Sequence, residues 1–287
     1  MITWNAGAAG RALAIPRLPP QNPTGLFCHD EPMTLGHLLL GSGARTAIVL
    51  HEWLGDASNY EPLHPYLDLA ARRYCFADLR GYGRSLDLAG EYSLAEACAD
   101  VLALADRLGL ARFDLVGHSM SGLVAQRLAL VAPARVRAVV AITPVFAAGF
   151  PADAASLRRM TAVATEDAAA RAAIADRTGG RYGPAWLDFK LRKSRERSTE
   201  AARLGYLRMF TQTDFAAEAQ GNPLRLLVIS GQHDLPLYRE DAARRSFGAC
   251  YPHCEFALAE GAGHYPMLET PIFVAAQIDA FLARGGA

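Results

Sequence analysis

The feature that most constrains this chain is an alternation of buried-strand runs with helical segments, which stops once and then resumes. Arg45–His51 (RTAIVLH), Tyr74–Asp78 (YCFAD), Phe113–Gly117 (FDLVG), Val136–Ile142 (VRAVVAI), Leu224–Ser230 (LRLLVIS) and Cys254–Leu258 (CEFAL) are short runs rich in apolar residues. A run that is apolar throughout, rather than at every second residue, suits a strand covered on both faces. Two shorter runs, Leu26–Cys28 and Leu35–Leu40, precede them. Helical periods lie between. Tyr66–Arg72 reads as helix. Ser93 and Glu96 make a capping-box pattern ahead of Ala97, Val101, Leu104, Ala105 and Leu108, with Gly109 as the stop. Gly122–Val131 ends at Pro133, and Pro271–Leu282 closes the chain with Phe273, Val274, Ile278 and Phe281 at helical spacing. Strands alternating with helices predict an α/β fold: a mostly parallel, doubly wound sheet with helices on both faces.

The alternation stops at about Pro144. Residues 145–220 hold Ala-rich and Arg-rich helical stretches and no convincing strand. The expected organisation is an N-terminal extension over 1–22, an α/β core over 23–144 and 221–287, and a helical cap over 145–220. Within that cap Arg and Lys number 12 against nine Asp and Glu. The whole chain is balanced, with 29 basic and 29 acidic residues, which argues against nucleic acid as a partner. Hydrophobic residues make up 51%, enough for a sizeable core and too many for a disordered chain. Five cysteines cannot all pair, so free thiols and a cytoplasmic location are expected. Met1–Pro20 carries Arg11, Arg17 and three prolines, so neither a signal peptide nor a membrane anchor is expected there, and no apolar run is long enough to span a bilayer.

The chemistry is concentrated after three strands. Gly117-His118-Ser119-Met120-Ser121-Gly122 lies at a strand-to-helix junction. A nucleophile on such a sharp turn needs small residues two positions to either side, because strand and helix pass close by. Gly117 and Ser121 meet that need, with Ser121 standing where glycine is usual. A serine hydroxyl is a weak nucleophile until a base takes its proton, and the base needs an orienting carboxylate. Gly231-Gln232-His233-Asp234 follows the LLVIS strand, and Gly261-Ala262-Gly263-His264-Tyr265-Pro266 follows the last strand. All three sets fall at the carboxyl ends of strands, where open parallel sheets bind ligands.

On these residues the chain resembles the α/β-hydrolase fold superfamily over roughly residues 24–285. The motifs are HEWLGD (51–56), DLRGYGRS (78–85), GHSMSG (117–122), GQHD (231–234) and GAGHYP (261–266). The resemblance implies Ser119 as nucleophile, Asp234 as orienting acid and His264 as base. It implies an oxyanion hole made by the backbone N–H groups of Met120 and Trp53. The loop that supplies the second donor usually reads His-Gly-x-x-Gly, and here it is His51-Glu52-Trp53-Leu54-Gly55. Glu52 therefore departs from the pattern, and its carboxylate is a candidate to face the substrate. Further pocket candidates are Phe146, Trp186, Tyr206, Phe210 and Tyr265.

Other residues have plainer readings. His118 adjoins the nucleophile, but its side chain should leave the turn in another direction, and His51 is expected to be structural. His233 is a weaker candidate than Asp234. Thr143 and Pro144, at the superfamily's alternative acid position, cannot serve. Asp78, Arg80 and Ser85 should brace their loop. Cys250, His253 and Cys254 have no fourth ligand at suitable spacing, so core or surface thiols are expected rather than a metal site. Lys190–Arg197 (KLRKSRER) reads as a solvated helix face.

The expected function is hydrolysis of a small, mostly apolar carboxylic ester or lactone through an acyl-enzyme on Ser119, with no cofactor and no metal. Oligomeric state is open. Three alternatives stand beside it: C–C bond hydrolysis or perhydrolysis on the same residues, acyl transfer to an alcohol or amine, and a ligand-binding receptor that keeps the fold. Serine at 119 disfavours the haloalkane dehalogenase and epoxide hydrolase types, which carry Asp there.

Overall fold

The apolar runs form a seven-stranded sheet in a computed structural model that describes residues 34–284. The expected strand at Leu26–Cys28 and the extension over 1–22 lie outside the described residues. The strands are β1 (His37–Leu40), β2 (Arg45–Leu50), β3 (Arg72–Ala77), β4 (Phe113–His118), β5 (Val136–Ile142), β6 (Arg225–Gly231) and β7 (Cys254–Ala259). Their spatial order is β1-β3-β2-β4-β5-β6-β7. Only β1 runs antiparallel, against β3. Every residue of β4 is buried, including Asp114 and His118, as expected of a central strand covered on both faces.

The chain steps from β2 outward to β3, then returns past β2 to β4. The loops after β2 and β4 therefore part at the reversal, which leaves a crevice at the carboxyl edge. The opposite edge is closed by charge. Arg72, at the start of β3, lies 2.6 Å from Asp114 of β4, and Arg137 of β5 reaches the same carboxylate at 3.2 Å.

Helices α1 (Leu94–Arg107) and α2 (Met120–Val131) pack on one another, and α2 lies on β4 and β5. Ser93 caps α1 by accepting the Glu96 N–H, while the Glu96 carboxylate accepts from Tyr92 N–H, one residue earlier than a standard capping box. Between β5 and β6 the chain forms α3 (Ala154–Thr165), α4 (Asp167–Arg177), α5 (Pro184–Glu196), α6 (Glu200–Gln212) and the short α7 (Ala216–Ala219). Asp153 and Thr199 cap α3 and α6, and Pro184 opens α5, where its missing N–H is harmless. Helix α8 (Glu240–Cys250) packs against β6 and β7. The four-residue α9 (Pro266–Glu269) and α10 (Pro271–Ala283) complete the chain. No described helix is long and apolar enough to cross a membrane.

One expected element is corrected. Tyr66–Arg72 is not a helix. A 3-10 helix spans Ala57–Tyr66 instead and ends where the expected one begins. Asp68 then accepts the N–H groups of Ala70 and Ala71, which turns the chain directly into β3. A short polar side chain that bonds its neighbours' backbone competes with helix.

Candidate active site

Ser119 sits between β4 and α2 with φ +54° and ψ −114°. Such a conformation in a residue with a side chain costs about 1–3 kcal/mol, and it is kept only where the surroundings over-determine it. They do so here. A Cβ on Gly117 would lie 2.4 Å from the Ser121 carbonyl oxygen, so glycine is required at 117. Position 121 tolerates serine because its hydroxyl has a use: it donates to the His51 carbonyl and ties the turn to the loop after β2.

Asp234 follows β6 and His264 follows β7. The His264 Nδ1–H donates to Asp234 Oδ2 at 2.7 Å, and the Ser119 hydroxyl stands 3.0 Å from His264 Nε2. A carboxylate only accepts, so Nδ1 carries the proton and Nε2 is free to accept from serine. All three side chains are buried. Asp234 is held by the Leu235 N–H on its other oxygen at 2.6 Å. The backbone carbonyl of His264 accepts from His118 Nε2 at 2.7 Å and from the Thr143 hydroxyl at 3.1 Å. His118 thus supports His264 from below. Burial pushes its basicity well below the ordinary histidine range, and neighbouring His264 adds to that against the pull of Glu52. His51 is also structural: Nδ1 donates to the Glu52 carbonyl and Nε2 accepts from Leu79 N–H.

Met120 is the first residue of α2, and the first four N–H groups of a helix have no partner within it. Trp53 is fixed at both ends, its indole N–H donating to the Arg203 carbonyl at 2.7 Å and its carbonyl accepting from Tyr82. Glu52 does not disrupt this loop. Its carboxylate accepts the Leu54 N–H, the Asn59 amide at 3.2 Å and the Lys190 ammonium at 2.9 Å. Burial raises the Glu52 pKa, but Lys190, nearby His118 and the Leu54 N–H outweigh it and hold the carboxyl at about 2.

That pair corrects the reading of Lys190–Arg197 as a solvated face. Helix α5 turns Leu187, Lys190 and Ser194 inward, and Lys190 is fully buried, with its ammonium 4.2 Å from the centre of the Tyr265 ring. A signal was available in the sequence. Lys190 and Lys193 are the only lysines among 29 basic residues, and Lys193 also turns toward the core, donating to Ser58 at 2.7 Å.

Glu52, Trp53, Ser119, Met120, Val145, Met160, Arg177, Phe210, Tyr238 and His264 enclose a cavity of about 10 Å³, room for about one water molecule. Of the six pocket candidates only Glu52 and Phe210 line it. Phe146 faces a neighbouring cleft against Phe247, and Trp186 stacks on Tyr182. Tyr206 is buried between Tyr82 and Tyr92, and Tyr265 stands edge-on behind His264. Sequence reasoning missed Val145, Met160, Arg177 and Tyr238. Tyr238 lies on a 3-10 turn after Asp234, its ring 4.6 Å from that of His264. Burial pushes its phenol pKa up, while Arg177 and a hydrogen bond with Ser119 work the other way.

The loop bracing expected at Asp78 is present. Asp78 accepts from Ala57 and Arg84 N–H groups, Ser85 donates to its carbonyl, and Arg80 makes a two-pronged pair with Asp100. Among the described residues, no group of three or more His, Cys, Asp or Glu is placed to hold a metal, and Cys75, Cys98, Cys250 and Cys254 are free thiols.

The sequence model of the alpha/beta hydrolase family matches residues 38–277. The chain is 40% identical over 96 residues to the dihydrolipoyllysine-residue acetyltransferase component of the acetoin cleaving system of Pseudomonas putida, covering 33% of this chain and 26% of that protein. It is 38% identical over 112 residues to the pimeloyl-acyl-carrier-protein methyl ester esterase of Edwardsiella ictaluri, covering 38% of this chain and 40% of that one. The matched segments thus span about a quarter to two fifths of these relatives' lengths. Among solved structures, the enol-lactonase from Burkholderia xenovorans superposes with a TM-score of 0.76 at 24% identity, over 87% of this chain and 96% of that one. At that identity the likeness concerns the fold.

Proposed function

The chain belongs to the alpha/beta hydrolase family, and from that premise we propose that it is a serine hydrolase of a small, mostly apolar carboxylic ester or lactone. The observation that carries this reading is the unbroken hydrogen-bond chain Asp234–His264–Ser119 on three strand ends. In the proposed mechanism the Ser119 oxygen attacks the substrate carbonyl as its proton passes to His264 Nε2. Asp234 fixes the imidazole tautomer and stabilises the imidazolium. The developing oxyanion accepts from the N–H groups of Trp53 and Met120. One such donor is worth about 10²–10³ in rate. His264 then protonates the leaving alkoxide, and the released alcohol makes room for water. His264 takes a proton from that water as it attacks the acyl-enzyme, and the acid departs with Ser119 restored.

Helices α3 to α7 act as the cap in this reading. Their Met160 and Phe210 join Trp53, Met120 and Val145 as the apolar half of the cavity lining, which supports a substrate with an apolar portion. The space holds about one water molecule, so a substrate enters only when the cap or its side chains move aside. Tyr238, beside Ser119, is assigned a positioning role for the serine hydroxyl. Acyl transfer would use the same residues. Partition of the acyl group between water and an added alcohol separates the two. The primary test is covalent labelling by a fluorophosphonate, together with turnover of 4-nitrophenyl esters. Labelling abolished in Ser119→Ala supports the reading. Labelling that persists in that variant removes Ser119 as nucleophile, and absence of labelling in the parent chain favours a receptor.

A further inference from the structure

Arg177 is the last residue of α4 and lines two spaces at once. One is the cavity at Ser119. The other is a cleft of about 390 Å³ between α3 and α4, lined also by Phe150, Met160, Val163 and Leu235. Met160 and Arg177 are the residues common to both, so they form the wall through which the cleft would join the cavity. Among the described residues the Arg177 guanidinium has no carboxylate partner. Its one hydrogen bond goes to the Ala173 carbonyl at 3.1 Å, within its own helix. Guanidinium carries five donors in a planar fork, so most of them are unused.

The charges around it do not cancel it. Glu52 faces the same cavity but is matched by Lys190. The cleft holds one acid, Asp176, and a second base, Arg159. A cation without a carboxylate partner thus stands beside Met160 in the wall shared by the two spaces. Burial raises the pKa of the Tyr238 and Tyr265 phenols, and Arg177 works against that rise while Asp234 adds to it.

We propose that Arg177 recognises an anionic group of the substrate, so that the preferred ester or lactone carries a second carboxylate that does not react. This rests on the hydrolase reading and narrows its substrate class. A carboxylate accepts two parallel N–H bonds from guanidinium, and such pairs are the strong, geometrically selective kind. The apolar remainder of the substrate would lie along Met160. The backbone of Arg177 is committed separately: its carbonyl accepts the His264 N–H at 2.8 Å, and a Cβ on Gly263 would lie 2.5 Å from that oxygen. The side chain can therefore be exchanged while the backbone contact to the histidine loop stays in place.

The test is binding to Ser119→Ala, followed by tryptophan fluorescence, since Trp53 lines the cavity. Two matched pairs of probes are used. Hydrogen glutarate 4-nitrophenyl ester against 4-nitrophenyl pentanoate puts the carboxylate on the acyl side. Carboxymethyl butyrate against propyl butyrate puts it on the alcohol side. In at least one pair the anionic probe should bind about 10- to 100-fold tighter, as expected for a charge-assisted pair. The ratio should fall to near one when Arg177→Met is added and recover in part with Arg177→Lys, which keeps the charge without the fork. A ratio near one in both pairs overturns the proposal, as does a ratio that survives Arg177→Met. Should Arg177→Met fail to fold, the ratio with Arg177 intact and its change in Arg177→Lys still decide. Fluorophosphonate labelling of the parent chain is scored separately. Failed labelling with a retained anion preference sinks the hydrolase reading alone. Labelling without the preference sinks only the assignment to Arg177.

Discussion

The two walls of the cavity are built in different ways. The lower wall, at the ends of β4, β6 and β7, is shaped chiefly by local backbone geometry, above all a residue at positive φ and a glycine that admits a close approach. The upper wall, from α3 to α6, is tied down by isolated long-range contacts. These include Lys190 to Glu52, the Trp53 indole to the Arg203 carbonyl, and the Arg177 carbonyl to the His264 N–H. A wall of the first kind leaves its mark in contiguous residues. A wall of the second kind depends on which faces of four helices turn inward. The lower wall is therefore suited to rigid chemistry, and the upper wall to variation in what the site accepts.

The sharpest way to break the comparison is on the lower wall. Ser119→Ala should lower kcat for a 4-nitrophenyl ester by about 10⁴- to 10⁶-fold, with thermal stability little changed, since alanine keeps the Cβ and with it the same backbone strain. A loss under tenfold would show that the strand-end geometry is not the reacting centre.

On the upper wall the largest effect should be on stability. Lys190→Met leaves the Glu52 carboxylate buried without its cation and should cost about 3–5 kcal/mol in urea unfolding. Adding Glu52→Gln to it should recover part of that loss. The same pair sets an acid dependence. The folded-state pKa of Glu52, about 2, lies below its ordinary 4.5. Its contribution to stability is thus present in full above about pH 4.5 and lost as pH falls through about 2. Urea midpoints measured between those values should fall less steeply with acid in Glu52→Gln than in the parent chain.

Tyr238→Phe separates positioning from packing where the walls meet. It removes the phenol hydroxyl from the cavity beside Ser119 and keeps the ring, so kcat should fall about 5- to 10-fold with KM nearly constant. The smallest effect is expected at Tyr206. Its hydroxyl is buried without a partner, so Tyr206→Phe should change stability by less than about 1 kcal/mol, in the stabilising direction if at all, and leave turnover of the ester unaltered. A large loss of activity there would return Tyr206 to the site.

Much of the molecule was legible before the structure. The strand runs from β2 onward, α1 with its Ser93 cap, the sharp turn at Ser119 and the loops carrying Asp234 and His264 were all readable, because each is specified by neighbours in sequence. The misreadings have one common cause. The segment after Tyr66 has helical spacing, but prolines before it and the Asp68 side chain decide the local backbone. KLRKSRER looks like a solvated run until Glu52, 138 positions away, is placed beside Lys190. Phe146, Trp186 and Tyr206 are apolar residues of the cap segment and Tyr265 adjoins His264, which says that each packs near the site but not in which cluster.

By itself the sequence determined the layered α/β architecture and brought a serine, an acid and a histidine to the same edge, since periodicity and turn chemistry act over a few residues. Only the tertiary structure decided that Glu52 is neutralised from above, that Tyr238 stands beside the serine, and that Arg177 faces the cavity with its charge unmatched. Those facts depend on how helix faces orient across the site, and that orientation is set by packing and ion pairing between residues far apart in the chain.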